Sequence, residues 1–316
     1  ILRFIFGLTD YEMGIIPYQL FYEEYRSEGR WVKEQILNLS SEDKQNIAIA
    51  IDKNYIPENR IYRYNYFYDN CTTRARDILI NNINGFIDYH YNQQPITTYR
   101  DEVHQWNTQH PWARWGNDLL LGLQADKLIS NEERQFIPDS LSKDFQHATV
   151  SYAHGKIKKL VSNSSYIIPP VQTKDIDNNF SSYLSPNIVM ICILVIIITS
   201  FLLQKKCKLY YLLTHYLLWT VTGFCGIILT AMIFSQHPTV SLNLQIFILN
   251  PLNLLLLFPK FQNSKNFQYV MITCYALGCV GSFLQTYADG IQLLAFVLLI
   301  TNLFSLKFSW KNGTNY

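Results

Sequence analysis

The charge of this chain is confined to its first part, and that partition limits its fold more than any other feature. All but seven of the 26 Lys and Arg residues and all but one of the 24 Asp and Glu residues precede position 187 of 316. The remainder is a succession of Leu, Ile, Val, Phe and Tyr runs with almost no surface that water would solvate. The overall values, a net charge of +2 and 49% hydrophobic residues, therefore average two regions that need different solvents.

A helix needs about 20 apolar residues, or about 17 at the short limit, to cross a hydrocarbon core of about 30 Å. Runs at 187–203, 209–234, 241–258, 267–287 and 290–306 meet that length, so five spans are expected. Asn250 and Pro251 interrupt the third, and Pro removes a backbone bond that neighbours must replace. Lys and Arg of short loops stay cytoplasmic. Lys205, Lys206 and Lys208 follow the first span, Lys260 and Lys265 the third, and Lys307 and Lys311 the fifth. The alternate loops, Gln236 to Pro238 and Ala288 to Gly290, have no Lys or Arg. An odd number of spans then puts the charged region outside the cytoplasmic membrane, in the periplasm of a Gram-negative cell. Polar residues in the spans have two readings. They bridge helices, or His237, Asn243 and Asn253 line an outward-facing polar site.

The charged region reads as residues 1–161 of one extracytoplasmic domain, with 162–186 as a Ser-, Asn- and Pro-containing linker and 187–310 as the membrane domain. SSED at 40–43 is a helix-start signal that predicts a helix over 42–54. Residues 61–68 are aromatic and strand-like, 72–83 have helical apolar spacing, 118–124 form a short apolar segment, and 148–152 with 156–161 predict a hairpin. The opening ILRFIFG reads as the middle of a structural element. It lacks the basic flank and cleavage site of a signal peptide, so an export signal is expected upstream of Ile1.

Five of the six cysteines, Cys192, Cys207, Cys225, Cys274 and Cys279, lie in or beside the spans, leaving Cys71 alone in the outer region. A lone cysteine in an oxidising compartment is either a small buried hydrophobe or a nucleophile. With Asn70 as helix cap, the sulfur sits at the positive end of a helix dipole, near Arg74 and Arg76, and such surroundings favour the thiolate. Cysteine catalysis ordinarily adds an oriented histidine, but the spacing of His90, His104, His110, His147 and His154 singles out none. His104 and His110 are six apart and share no helix face, so no metal site is expected. Neither a phosphate loop nor a basic stripe for nucleic acid is present, and no cofactor is called for.

The stretch 62–77, YRYNYFYDNCTTRARD, resembles the signature of the periplasmic domain of the Lnb family, bacterial lipoprotein N-acyltransferases. Gly7 with Thr9, Asp10 and Tyr11, the segments 21–25, 35–40 (QILNLS), 57–60 (PENR) and 116–126 (GNDLLLGLQAD), and Pro111 with Trp112 are similar to the family pattern. So are His237, Pro238, Asn243 and 250–253 (NPLN) in the membrane part. The resemblance implies an α+β, papain-like domain in permuted and incomplete form, followed by an all-α bundle of about five membrane helices. It implies Cys71 as nucleophile, with Asn70, Asp69, Arg74 and Arg76 supporting it or the oxyanion. The implied reaction passes an acyl chain from a phospholipid, through a Cys71 thioester, to the N-terminal cysteine amine of a diacylated lipoprotein at the inner membrane. The Gly-His pair that the family places ahead of its cysteine does not occur before Cys71. The base is therefore expected upstream of Ile1, and a chain without it is expected to turn over little. A membrane-anchored cysteine peptidase or amidase and a non-catalytic sensor or scaffold remain as alternatives.

Overall fold

The computed structural model describes residues 2–93, 96–170 and 185–312. The chain divides into two compact units, one made of Ile1–Thr97 with Leu128–Asp177, the other of Thr98–Lys127 with Asn178–Tyr316. The first mixes α-helices and β-strands; the second is helical.

In the first unit, Val32–Leu37 pairs antiparallel with Val161–Ile168, and Gly85–Asp88, Thr149–Tyr152 and Ile157–Lys159 form a three-stranded antiparallel sheet. Asp10–Glu12 pairs with Ile61–Arg63. The core gathers Ile47, Ile83, Phe145, Ala148, Val150, Leu160 and Val161. Ser40 caps the helix Ser41–Tyr55 through a reciprocal box with Asp43, two orphan donors satisfied at once. Asp43 is fully buried and also accepts hydrogen bonds from the Tyr152 hydroxyl at 2.6 Å and the Asn84 N–H at 2.8 Å. Burial raises its pKa, but the bonds from Tyr152, Asn84 and Ser40 outweigh burial and hold it below the usual carboxylate value.

Three expectations are corrected in the outer region. Residues 162–168 are no linker, since they complete the strand Val161–Ile168 and its hydrogen-bonded ladder; most of the remaining linker expectation, 171–184, lies outside the described residues. The aromatic strand stops at Arg63, because the Asn65 side chain accepts from the N–H groups of Phe67 and Tyr68 and the Asn65 and Asp69 backbones bond each other, folding 65–69 into a tight loop. Residues 98–127 are not part of the first unit. Arg100, 1% exposed, bonds Asp118 and Asp126 at 2.7 Å each and the carbonyl of Leu121 at 3.0 Å. These polar side chains satisfy one another inside the helical unit, which is why their charge misplaces them in a reading by composition.

The second unit contains helices Pro186–Leu202, Lys208–Met232, Lys265–Gly281 and Ile291–Asn312. The helix Lys208–Met232 and the run Pro238–Leu257 are each long and apolar enough to cross a bilayer. The run is not one helix. It breaks into a turn at Pro238–Ser241 and 3₁₀ turns at Leu244–Phe247 and Pro251–Leu257, because Pro251 lacks an N–H and keeps Asn250 extended. Gly226 admits the broken segment closely, since a Cβ there would overlap the Asn250 backbone.

Candidate functional site

The strand Ile61–Arg63, the tight loop and the helix Cys71–Ile80 follow one another directly, and together they position the sulfur. Asn70 has extended backbone angles; its side-chain oxygen accepts from the Thr73 N–H at 2.9 Å, and its own N–H donates to the Thr73 hydroxyl oxygen at 2.9 Å. Cys71 is thereby the first helical residue, and its side chain is exposed. Both Asn70 amide protons go to backbone carbonyls, those of Tyr66 and Phe136, at 2.9 Å each. Asn70 thus builds the helix start and has no amide proton left to offer an oxyanion. Of the first helical turn, the N–H of Thr73 is taken by Asn70, and those of Cys71 and Thr72 are the donors a helix start leaves over.

Asp69 and Arg74 form a two-point pair at 2.7 and 2.8 Å. The Arg74 guanidinium lies 3.8 Å from the centre of the Tyr62 ring, a cation–π contact that holds both. The Tyr62 hydroxyl donates to the Cys71 sulfur at 3.6 Å. Burial, then the contact with Cys71, pushes the Tyr62 pKa up, so the phenol stays a donor at neutral pH. Arg76 points elsewhere, bonding Asp77 at 2.7 Å and the Glu132 carbonyl at 3.2 Å; it is not brought to the thiol. Tyr62 was missed by reasoning from sequence. Its only signal was membership of the aromatic run before Cys71.

A cavity of about 380 Å³ opens beside the sulfur, within the range of about 300–1,000 Å³ typical of small-molecule sites. Cys71, Arg74, Ala75, Ile78 and Leu79 line it from one helix, at the spacing of a single helical face. Met13, Ile51 and Asn54 close the other side. The thiol therefore heads an apolar stripe. Among the histidines, His90 bonds Asp88 and Thr149, and His104 bonds Asp118 at 2.8 Å; the side chain of His154 lies outside the described residues. No group of three His, Cys, Asp or Glu residues suited to a metal occurs among the described residues.

The polar residues of the membrane half do a different task. Asn243 donates to the Leu119 carbonyl at 2.7 Å and accepts from Gln285 at 2.9 Å. Asn253 donates to Thr222 and to the Ile248 carbonyl and accepts from the Tyr275 hydroxyl. Gln285 also accepts from the Leu244 N–H at 2.7 Å. These amides replace backbone bonds lost where the chain leaves helical geometry, which is how irregular backbone is tolerated at membrane depth. His237 is buried at the start of the Pro238–Ser241 turn, its N–H donating to Ser235. Asn243 and Asn253 thus bridge separate segments of the helical unit through these bonds.

Two family models match the chain. The Lnb N-terminal periplasmic domain matches residues 1–105 and the Lnb transmembrane domain residues 177–312. No curated protein and no solved structure matches it.

Proposed function

The chain belongs to the Lnb family and is a membrane protein with a periplasmic domain, and from this premise we propose that it is a lipoprotein N-acyltransferase whose Cys71 carries the acyl chain. The observation behind this reading is an exposed thiol, under a phenol donor, at the head of an apolar groove. A groove of that composition suits an acyl chain, each buried methylene contributing about 0.8 kcal/mol.

In the proposed reaction the thiol proton passes to a base and the thiolate attacks the ester carbonyl of a phospholipid. A carbon–sulfur bond forms, the carbon–oxygen ester bond breaks, and the departing lysophospholipid oxygen takes the proton back. The free α-amine of a diacylated lipoprotein's N-terminal cysteine then attacks the thioester, forming the amide and returning the thiol. Backbone N–H groups at the start of the Cys71–Ile80 helix face the developing oxyanion charge. Tyr62 stabilises the thiolate; Arg74, held by Asp69, positions Tyr62. We further place the protein in the bacterial inner membrane as a multi-pass protein, with its seven membrane-half lysines on the cytoplasmic side, and read its outer unit as a papain-like arrangement in permuted order. Anchoring suits this chemistry because both lipidic substrates are confined to the bilayer.

The test offers membranes containing the protein a phospholipid labelled in its acyl chain, with either a diacylated lipopeptide or a cell-wall peptide. Label on the lipopeptide amine, lost in Cys71→Ser, is the expected result. Cleavage of the peptide without acyl transfer would make the protein a peptidase, and unchanged transfer by the Cys71→Ser variant would remove the thiol from the mechanism.

A further inference from the structure

The helical unit holds a second cavity, of about 280 Å³, that the acyl-transfer reading does not use. It lies at the ends of the membrane helices that bear the lysine loops. Its walls come from Phe201 and Gln204, from Tyr211, His215 and Trp219 near the start of Lys208–Met232, from Gln262 and Gln268, and from Thr301 and Asn302. No Asp, Glu, Lys or Arg is in that lining.

Hydrogen bonds around the cleft leave acceptors over on four of its polar groups, beside the Tyr211 hydroxyl, the Trp219 ring N–H and the amides of Gln204 and Asn263, which also line it. The Gln262 amide nitrogen donates to the Leu256 carbonyl at 2.7 Å, that of Gln268 to the Gln262 carbonyl at 2.9 Å, and that of Asn302 to the Leu298 carbonyl at 2.8 Å. A carbonyl only accepts, so each partner fixes which end of the amide is nitrogen and leaves the oxygen over. The Gln268 oxygen is buried with no hydrogen-bond partner. His215, 5% exposed, bonds the Tyr211 carbonyl through Nδ1 at 3.0 Å. That nitrogen is therefore the donor, and in the neutral ring Nε2 is an acceptor. Even Thr301 directs its hydroxyl to its own helix. Four acceptors and the rings of Tyr211 and Trp219 thus share one cleft without a carboxylate. A buried acceptor left unpaired, as the Gln268 oxygen is, is costly, and a primary ammonium, with three donors and no acceptor, fits this set; the rings add cation–π attraction.

The surrounding loops supply the opposite sign. Lys205 and Lys206 directly follow Gln204, Lys260 precedes Gln262, and Lys265 precedes Gln268. Neutral acceptors in the cleft and lysines close in sequence to its lining match a zwitterion with its ammonium in the cleft and its phosphate toward the loops. We propose that this cleft binds the headgroup of an aminophospholipid of the phosphatidylethanolamine type, on the cytoplasmic face. The site is distinct from the Cys71 groove and its occupancy does not depend on acyl transfer.

The experiment reconstitutes the full chain in nanodiscs or neutral detergent. It compares binding of phosphatidylethanolamine, phosphatidylcholine and phosphatidylglycerol by native mass spectrometry, with soluble phosphoethanolamine as a competitor. Phosphatidylcholine keeps the charge and phosphate but has no N–H donor, so at least tenfold preference for phosphatidylethanolamine is expected. Gln268→Glu should strengthen that binding and Gln268→Lys should abolish it, a reversal that a purely structural Gln268 would not produce. Gln268 lines this cleft and not the Cys71 groove, so the reversal at Gln268 separates the site from the acyl donor's. Equal retention of all three lipids, preference for phosphatidylglycerol, or equal weakening by both Gln268 variants would overturn the proposal. Capture of soluble phosphoethanolamine in preference to the lipid would overturn the lipid as its source. Should either variant fail to fold, Asn302→Asp and Asn302→Lys, at another acceptor of the same cleft, replace the pair with the same expected reversal.

Discussion

Two clusters of polar side chains, one around Cys71 and one around the broken run Pro238–Leu257, use the same residue types for opposite ends. At Cys71, Asn70, Asp69 and Arg74 are bound so that a loop, a ring and a helix start stay fixed while the sulfur stays exposed. In the membrane half, Asn243, Asn253 and Gln285 end on carbonyls, N–H groups and each other. The first cluster leaves a reactive atom over, and the second leaves none of these three amides for a ligand. What separates an active centre from structural repair is thus the final atom of the network, not its composition.

Three substitutions set the two clusters against each other, and a fourth probes the core of the outer unit. Replacing Cys71 by Ser should lower acyl transfer by at least roughly 10³-fold, as loss of a nucleophile does elsewhere. Because the side chain is exposed, the melting temperature of the purified protein should hardly change. A variant that lost stability in proportion to activity would make Cys71 a packing residue. Replacing Asn253 by Leu should do the reverse. It removes three hydrogen bonds, at roughly 0.6 kcal/mol each in a bilayer setting about 2 kcal/mol in all. Denaturation in mixed micelles should show that loss while the rate of Cys71 alkylation stays constant.

Tyr62→Phe keeps the ring beneath Arg74 and deletes only the hydroxyl on the sulfur. A hydrogen bond to a charged group contributes about 1.5–3 kcal/mol, so alkylation of Cys71 by iodoacetamide at neutral pH should slow by about tenfold or more. An unchanged rate would take Tyr62 out of the site. The smallest effect concerns acid. The Asp43 pKa is lowered in the folded chain, so its contribution to stability is complete above the unfolded carboxylate value of about 3.9 and is lost as pH falls through the folded value. Stability of the outer unit should therefore fall below about pH 4. Asp43→Asn should flatten that limb in pH-dependent melting, and an unaltered limb would assign the acid loss to other carboxylates.

Much of this contrast was legible from residues close in sequence. The charge partition marked the membrane half, SSED marked the helix start at Ser40, and Asn70 with Cys71 marked the start of the Cys71–Ile80 helix, each a local signal. The groove face at Cys71, Arg74, Ala75, Ile78 and Leu79 follows from helical spacing. What stayed hidden depends on contacts between distant residues. Tyr62 reaches the sulfur because the 65–69 loop folds the chain back, and Leu244 is satisfied by Gln285, 41 residues away. Residues 98–127 looked like part of the outer domain because Arg100, Asp118 and Asp126 are charged; only their mutual pairing makes them buried.

The central claim is that the Cys71 sulfur itself carries the acyl group. Membranes holding the protein are incubated with phospholipid labelled in its acyl chain, without acceptor, then quenched in acid and digested. The peptide containing Cys71 is weighed before and after neutral hydroxylamine. A mass increase equal to one acyl group is expected on that peptide, removed by hydroxylamine and absent from Cys71→Ser. Acyl transfer to lipoprotein with no label passing through the Cys71 peptide would contradict it.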